Sequence, residues 1–152
     1  MPHDPVVGIV PVSRQRAAVR ALLGISEGVR WRLEGDLAAH GVTLQQFNVL
    51  RVLVDAGEAG LPTLVVADRL LERAPGVTRL MDRLERRGLV VRARGTDRRQ
   101  VICAASPTGV ALVAETLPGV AQVEESIVAC LNPNELGALL HFLNRVENRL
   151  KA

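Results

Sequence analysis

Residues 75–105 read PGVTRLMDRLERRGLVVRARGTDRRQVICAA, and three patterns of different period succeed one another along them. Val77, Leu80, Met81 and Leu84 fall at i, i+3, i+4 and i+7, which gives a helix one apolar face. Arg79, Arg83 and Arg86 recur at helical spacing on a different face. Gly88 follows where a helix ends in a left-handed residue, a backbone region that costs glycine nothing. Val90–Arg94 and Val101–Ala105 are short β-prone runs, and the segment GTDRRQ between them is a turn carrying two arginines. Helix, strand, basic turn, strand is the order of a winged helix.

The charge is concentrated in the same place. From Arg69 to Arg99 there are ten arginines (69, 73, 79, 83, 86, 87, 92, 94, 98 and 99) against four acids (Glu72, Asp82, Glu85 and Asp97), a net of +6. The whole chain is +3, so the remaining residues sum to −3. Basic charge held locally, against an acidic remainder, is the footprint of a phosphate-binding surface. A solvated helix face laced with ion pairs is the plain alternative, and the second basic cluster on the turn argues against it.

Upstream, Thr43-Leu44-Gln45-Gln46 spells a capping box, whose hydroxyl and amide can satisfy the first N–H groups of a helix. Leu44, Phe47, Leu50 and Leu53 or Val54 would form its buried face, with Gly57 at its end. Pro62 is suited to the first position of a short helix reaching Leu71, and Pro75 to the first position of the arginine-bearing one. Two helices joined by a short turn, the second basic, make a helix-turn-helix.

Long helices flank this module. Ser13 can cap a helix running toward Gly41, with Val19, Leu22, Leu23, Val29, Leu33 and Leu37 as an incomplete stripe. Gly24, Gly28 and Gly35 interrupt it, as close helix–helix approach or a kink would require. Ser106-Pro107 opens a long amphipathic helix expected to bend at Pro118-Gly119. Asn132-Pro133-Asn134-Glu135 opens a last one, with Leu136, Leu139, Leu140, Leu143, Val146 and Leu150 as apolar positions. These terminal helices either pack on the central module or, carrying more apolar surface than it can cover, pair two protomers.

Composition narrows the function. At 152 residues the chain suits one domain, and no apolar stretch approaches the roughly 20 residues of a membrane span. Its start, MPHDPVVGIVPVSRQR, lacks the basic opening of a signal peptide, and an extended arm in a cytoplasmic protein is expected. The three aromatics, Trp31, Phe47 and Phe142, are too few for the stacking platforms that single strands and RNA need, which favours duplex DNA. Eighteen of the nineteen basic residues are arginine, a bias that suits phosphate or guanine recognition but that a GC-rich genome also produces. His3, His40 and His141 are scattered, with no paired carboxylate, phosphate loop or metal-ligand spacing, so neither an enzyme nor a cofactor is expected. Cys103 and Cys130 match no CxxC pattern and read as small buried hydrophobes, with redox sensing by either as the alternative.

With these residues assembled, the chain resembles the MarR family of winged helix-turn-helix transcription regulators over about residues 13–150. The resemblance is strongest in RLMDRLERRGLVVRARGTDRRQV, where an arginine-rich helix ends in Arg-Gly-Leu-Val ahead of an Asp-Arg-Arg wing. It implies a fold that is mainly α with a small β wing: a winged helix-turn-helix module at about 43–105, flanked by N- and C-terminal dimerisation helices at about 13–40 and 107–150. Residues 13–152 would form that single domain behind an arm of residues 1–12.

The family's way of working implies a homodimer that binds double-stranded DNA, a repressor on a pseudo-palindromic operator modulated by a small-molecule effector. Gly76, Thr78, Arg79, Arg83 and Arg86 would then serve the recognition helix. Arg99 would enter the minor groove, oriented by Asp97, with Arg98 on phosphate. Trp31, Phe47 and Arg51 are candidates for an effector pocket, and a core role for the two aromatics is the alternative. Pro62, Leu71 and Ala74-Pro75-Gly76 depart from the family's usual Ser or Thr at helix starts and Gly in the turn. A winged helix serving only protein contacts is the rival reading, since a fold does not dictate its partner.

Overall fold

The structure is a computed structural model and describes residues 13–70, 76–95 and 99–151. The expected arm and residues 71–75, with Leu71 and Pro75 among them, lie outside these. In chain order the elements are α1 (Arg14–Ala38), α2 (Leu44–Ala56), β1 (Leu61–Pro62), α3 (Thr63–Arg69), α4 (Val77–Arg86), β2 (Val90–Arg94), β3 (Val101–Ala105), α5 (Pro107–Val128) and α6 (Pro133–Lys151). The fold is mainly helical with one small sheet, a winged helix-turn-helix flanked by long terminal helices.

The core belongs to the central module. Phe47, Leu50 and Leu53 of α2, Val66 of α3, and Met81 and Leu84 of α4 are buried against one another and against Val90 and Cys103 of the sheet. The four buried residues of α4 are Val77, Leu80, Met81 and Leu84, the apolar face expected from their spacing. Thr43 closes the expected capping box, its Oγ1 accepting from the Gln46 N–H at 3.2 Å while Gln46 Oε1 accepts from the Thr43 N–H at 3.1 Å.

Two helix starts differ from expectation. Pro62 is not the first residue of α3 but the end of a two-residue strand, β1, and caps the helix that Thr63 begins. A proline lacks an N–H, so it sits readily at a sheet edge, and β1 occupies the edge of a sheet ordered β1-β3-β2. α4 begins at Val77 rather than Pro75, because Gly76 takes a left-handed φ of 106°, outside helical space. At its other end Gly88 has φ 69°; its N–H donates to the Glu85 carbonyl and that of Leu89 to the Leu84 carbonyl, the paired closure expected of a C′ glycine.

β2 and β3 pair antiparallel, Val90 opposite Ala105 and Arg94 opposite Val101, so the wing extends from the core as a hairpin. Ser106 ties its base to the next helix: its hydroxyl donates to the Gly88 carbonyl at 2.6 Å and accepts from the Gly109 N–H at 3.0 Å. A Cβ at Gly109 would collide with the Leu89 carbonyl, so α5 approaches the wing's base as closely as backbone allows.

Ser13 caps α1, as its hydroxyl predicts, and the helix lies along α5. Of its apolar stripe only Leu33 and Leu37 are buried. Gly24, Gly28 and Gly35 meet nothing within 4 Å of an added Cβ, so close approach inside the protomer does not explain them. The close approach between these helices is at Gly119 of α5, where a Cβ would stand 2.6 Å from Asp36 Oδ2. α5 continues as helix through Pro118. Asn132 caps α6 with its side-chain oxygen, and Glu135 returns the bond to the Asn132 N–H at 2.9 Å. α6 buries none of its side chains.

Candidate nucleic-acid interface

α4 has two chemically opposite faces. Its apolar residues pin it to α2 and the sheet, which turns Thr78, Arg79, Arg83 and Arg86 to solvent, with Gly76 exposed at the cap. Arg79 and Arg83 have no hydrogen-bond or ion-pair partner among the described residues. Arg86 folds back, its Nε donating to the Asp82 carbonyl at 3.2 Å. Arg87 leaves this face altogether and donates to Gln46 Oε1 at 3.2 Å, joining the end of α4 to the start of α2.

The acids of α4 are held from the wing. Arg92 Nη2 lies 2.7 Å from Asp82 Oδ1 and donates at 3.4 Å to the Thr78 carbonyl, while its Nε lies 3.5 Å from Glu85 Oε2. In the sequence Arg92 stands only as one charge of the basic run. The signal was present in the alternation of β2, where Arg92 shares a face with buried Val90 and turns toward α4.

The wing's turn is closed by the Gly95 N–H donating to the Gln100 carbonyl at 2.9 Å. Asp97 and Arg98 lie outside the described residues, and with them the proposed Asp97–Arg99 pairing. Arg99 is exposed on the returning side of the turn. Together with Thr78, Pro62, Leu64 and Val101 it lines a groove of about 410 Å³ between the wing and the starts of α3 and α4. The helix-start hydroxyl that does exist, Thr63, lines the same groove and is engaged within the protein: its Oγ1 lies 3.4 Å from both the Val101 carbonyl oxygen and Cys103 Sγ.

The three candidate effector residues are not brought together. Phe47 and Arg51 share a cleft of about 330 Å³ with Leu33, Asp55, Arg69 and Glu124, where α1, α2, α3 and α5 meet. Phe47 forms its buried floor, and so also serves the core. Trp31 is 75 % exposed and lines a different hollow, between α1 and α5, with Asp36 and Gln122. The cysteines also separate: Cys103 is buried as expected, whereas Cys130 is exposed beyond the end of α5, where too little packs on it to bury it. His40, just past α1, lies 3.5 Å from Glu115 on α5. Among the described residues no group of three or more His, Cys, Asp or Glu could hold a metal, and no helix is long and apolar enough to cross a membrane.

A basic helix bedded in a three-helix core, next to a two-stranded wing with an arginine at its tip, defines the class: a winged helix-turn-helix protein. The comparisons give the family. The MarR family's sequence profile matches residues 40–100. The HTH-type transcriptional regulator MhqR of Bacillus subtilis is 28% identical over 108 residues, 70% of this chain and 73% of MhqR. The crystal structure of a MarR transcription factor from Planctomyces limnophilus is 32% identical with a TM-score of 0.68, covering 87% of this chain and 96% of that one. BpsR of Bordetella bronchiseptica, whose DNA binding is regulated by 6-hydroxynicotinic acid, is 26% identical with a TM-score of 0.76, covering 86% of this chain and 98% of BpsR. The chain belongs to the MarR family and is a transcription regulator rather than an enzyme.

Proposed function

We propose that this regulator is a cytoplasmic repressor that binds a pseudo-palindromic site in double-stranded DNA as a homodimer, under the control of a small-molecule effector. The observation that carries the DNA contact is the outward face of α4, where Arg79 and Arg83 have no partner among the described residues and stand beside Thr78 while the helix's acids are tied back. Arg79 and Arg83 are assigned to guanine edges or phosphates in the major groove, with Gly76 allowing close approach at the helix start and Arg86 on the flanking backbone. The wing is assigned to the adjacent minor groove through Arg99, with Asp97 and Arg98 as its neighbours on the turn.

The dimer is supported by apolar surface that the protomer leaves uncovered. On α6, Leu140 and Phe142 are 54 % and 58 % exposed, and on α1 Leu23 and Ile25 are 67 % and 62 % exposed. Monomers seldom leave so many large apolar side chains of their terminal helices in water. Two-fold pairing through the terminal helices of one 13–152 domain would set two copies of α4 about 34–36 Å apart, one turn of B-DNA. For the effector, the cleft of Phe47 and Arg51 is the site we favour, because it lies between the module that holds α4 and the helices α1 and α5. An effector that fits one dimer geometry better than another shifts the population toward it. BpsR offers a precedent among the relatives.

The test is DNA binding by duplexes that the purified protein selects from random sequence. Arg83→Ala is expected to weaken binding by roughly 1–3 kcal/mol and to relax sequence preference at its own position. Arg99→Ala is expected to lower the salt dependence by about one counterion. If neither variant changes a gel shift that the wild-type protein gives, the surface belongs to a protein partner and the DNA reading fails.

A further inference from the structure

We propose that Arg92 is the positioning residue of the α4 surface: it holds the carboxylates of Asp82 and Glu85 so that Arg79 and Arg83 remain available to phosphate. The inference rests on the DNA-binding reading above and names a residue outside the contact set. Asp82 stands three residues after Arg79 and four before Arg86, the two spacings at which helix side chains meet. Left free, it is a ready intrahelical partner for either arginine. It would also present a negative charge to the phosphates that those arginines attract.

Arg92 removes both liabilities from a neighbouring element. Its guanidinium meets Asp82 at 2.7 Å, Glu85 at 3.5 Å and the Thr78 carbonyl at 3.4 Å. The planar fork reaches Asp82 and the Thr78 carbonyl by hydrogen bonds from Nη2 while Nε faces Glu85 as an ion pair, an arrangement that a lysine, with a single compact charge, does not reproduce. The side chain is 22 % exposed, against 46 % for Asp82 and 45 % for Glu85, so its head is engaged with α4 even though it also lines the groove beside Thr78 and Arg99. Its backbone is equally fixed. Arg92 pairs with Cys103 across the sheet, and Cys103 Sγ is within 3.4 Å of the Thr63 hydroxyl at the start of α3.

The experiment compares four full-length proteins on one selected duplex over a range of salt: wild type, Arg92→Gln, Asp82→Asn/Glu85→Gln, and the triple variant. Thermal melting of each is recorded alongside. Arg92→Gln is expected to bind about tenfold more weakly, the size of effect one lost charge produces at such a surface. The triple variant is expected to recover to within about threefold of wild type, because the acids that Arg92 restrained are gone. A direct phosphate contact predicts the reverse: no recovery, and a salt slope reduced by about one counterion in both Arg92 variants. That result overturns the proposal, as does wild-type binding by Arg92→Gln. If Arg92→Gln does not fold, Asp82→Asn/Glu85→Gln alone decides: binding at least as tight as wild type supports the assignment, and weaker binding with an unchanged melting point overturns it. A wild-type protein that selects no duplex removes the DNA reading itself, a separate outcome.

Discussion

α2 and α6 are written in the same alphabet and used in opposite ways. Both carry leucines at helical spacing, and both open with a reciprocal side-chain cap. In α2, Leu50 and Leu53 are 0 % exposed; in α6, no residue is buried and Leu140 is 54 % exposed. An apolar stripe therefore says that a helix will be covered, but not by what. The contents of the two ends differ accordingly. α2 is surrounded by α1, α3, α5 and β3 of its own chain, whereas α6 turns its leucines to solvent in the protomer, as a surface awaiting a second copy would.

The comparison is broken most forcefully by the same Leu→Ala substitution made in each helix. Leu53→Ala removes a fully enclosed side chain and leaves a cavity in the core that it shares with Val66 and Met81. A loss of about 2–5 kcal/mol is expected. Chemical denaturation followed by circular dichroism checks it, and the loss should not vary with protein concentration. A cost below about 1 kcal/mol would mean that the centre of the module is looser than its burial implies.

Leu140→Ala should behave differently. In a lone protomer it removes a side chain that is already half in water, and surface changes of that kind usually move stability by less than about 0.5 kcal/mol. In a dimer it should cost about 1–2 kcal/mol of association, a shift of roughly tenfold in the dissociation constant. Sedimentation equilibrium of wild type and variant separates the two cases. If both proteins are monomeric at micromolar concentration, α6 is not covered by a second copy and the contrast with α2 needs another partner.

What the sequence disclosed follows the same division. The apolar face of α4, its glycine stop, the capping box of α2 and the order of helices and wing strands were all legible, because each rests on residues close together in the chain. β1 was not, since two residues carry no periodicity and Leu61-Pro62 becomes a strand only by pairing with Cys103 and Ile102, some forty residues on. Pro62 and Pro75 were each assigned to a helix start on a local rule. The sheet edge claims Pro62, and the left-handed Gly76 sets the start of α4 beyond Pro75. The glycines of α1 show the limit most plainly: their spacing suggested close contact, yet the contact between α1 and α5 is made at Gly119. At the candidate interface the exposed arginines could be named from spacing alone. The alternation of β2 turns Arg92 toward α4, but which carboxylates it meets there is decided by the fold.

The capping box of α2 sharpens the point at the smallest scale, since it combines a legible role with an illegible one. Gln46 Oε1 accepts from the Thr43 N–H at 3.1 Å, the bond the TLQQ pattern predicts, and also from Arg87 Nη1 at 3.2 Å, which no pattern in α2 announces. Thr43→Ala deletes only the hydroxyl that accepts from the Gln46 N–H, and should cost about 1 kcal/mol. Gln46→Ala deletes the reciprocal bond and the anchor of Arg87, and so should also loosen the C-terminal end of α4. Urea denaturation measures the first effect; amide exchange at Arg87 and Gly88 measures the second, expected to rise in Gln46→Ala and to stay unchanged in Thr43→Ala. Equal exchange in both variants would make the link from α2 to α4 incidental, and the capping box a purely local device.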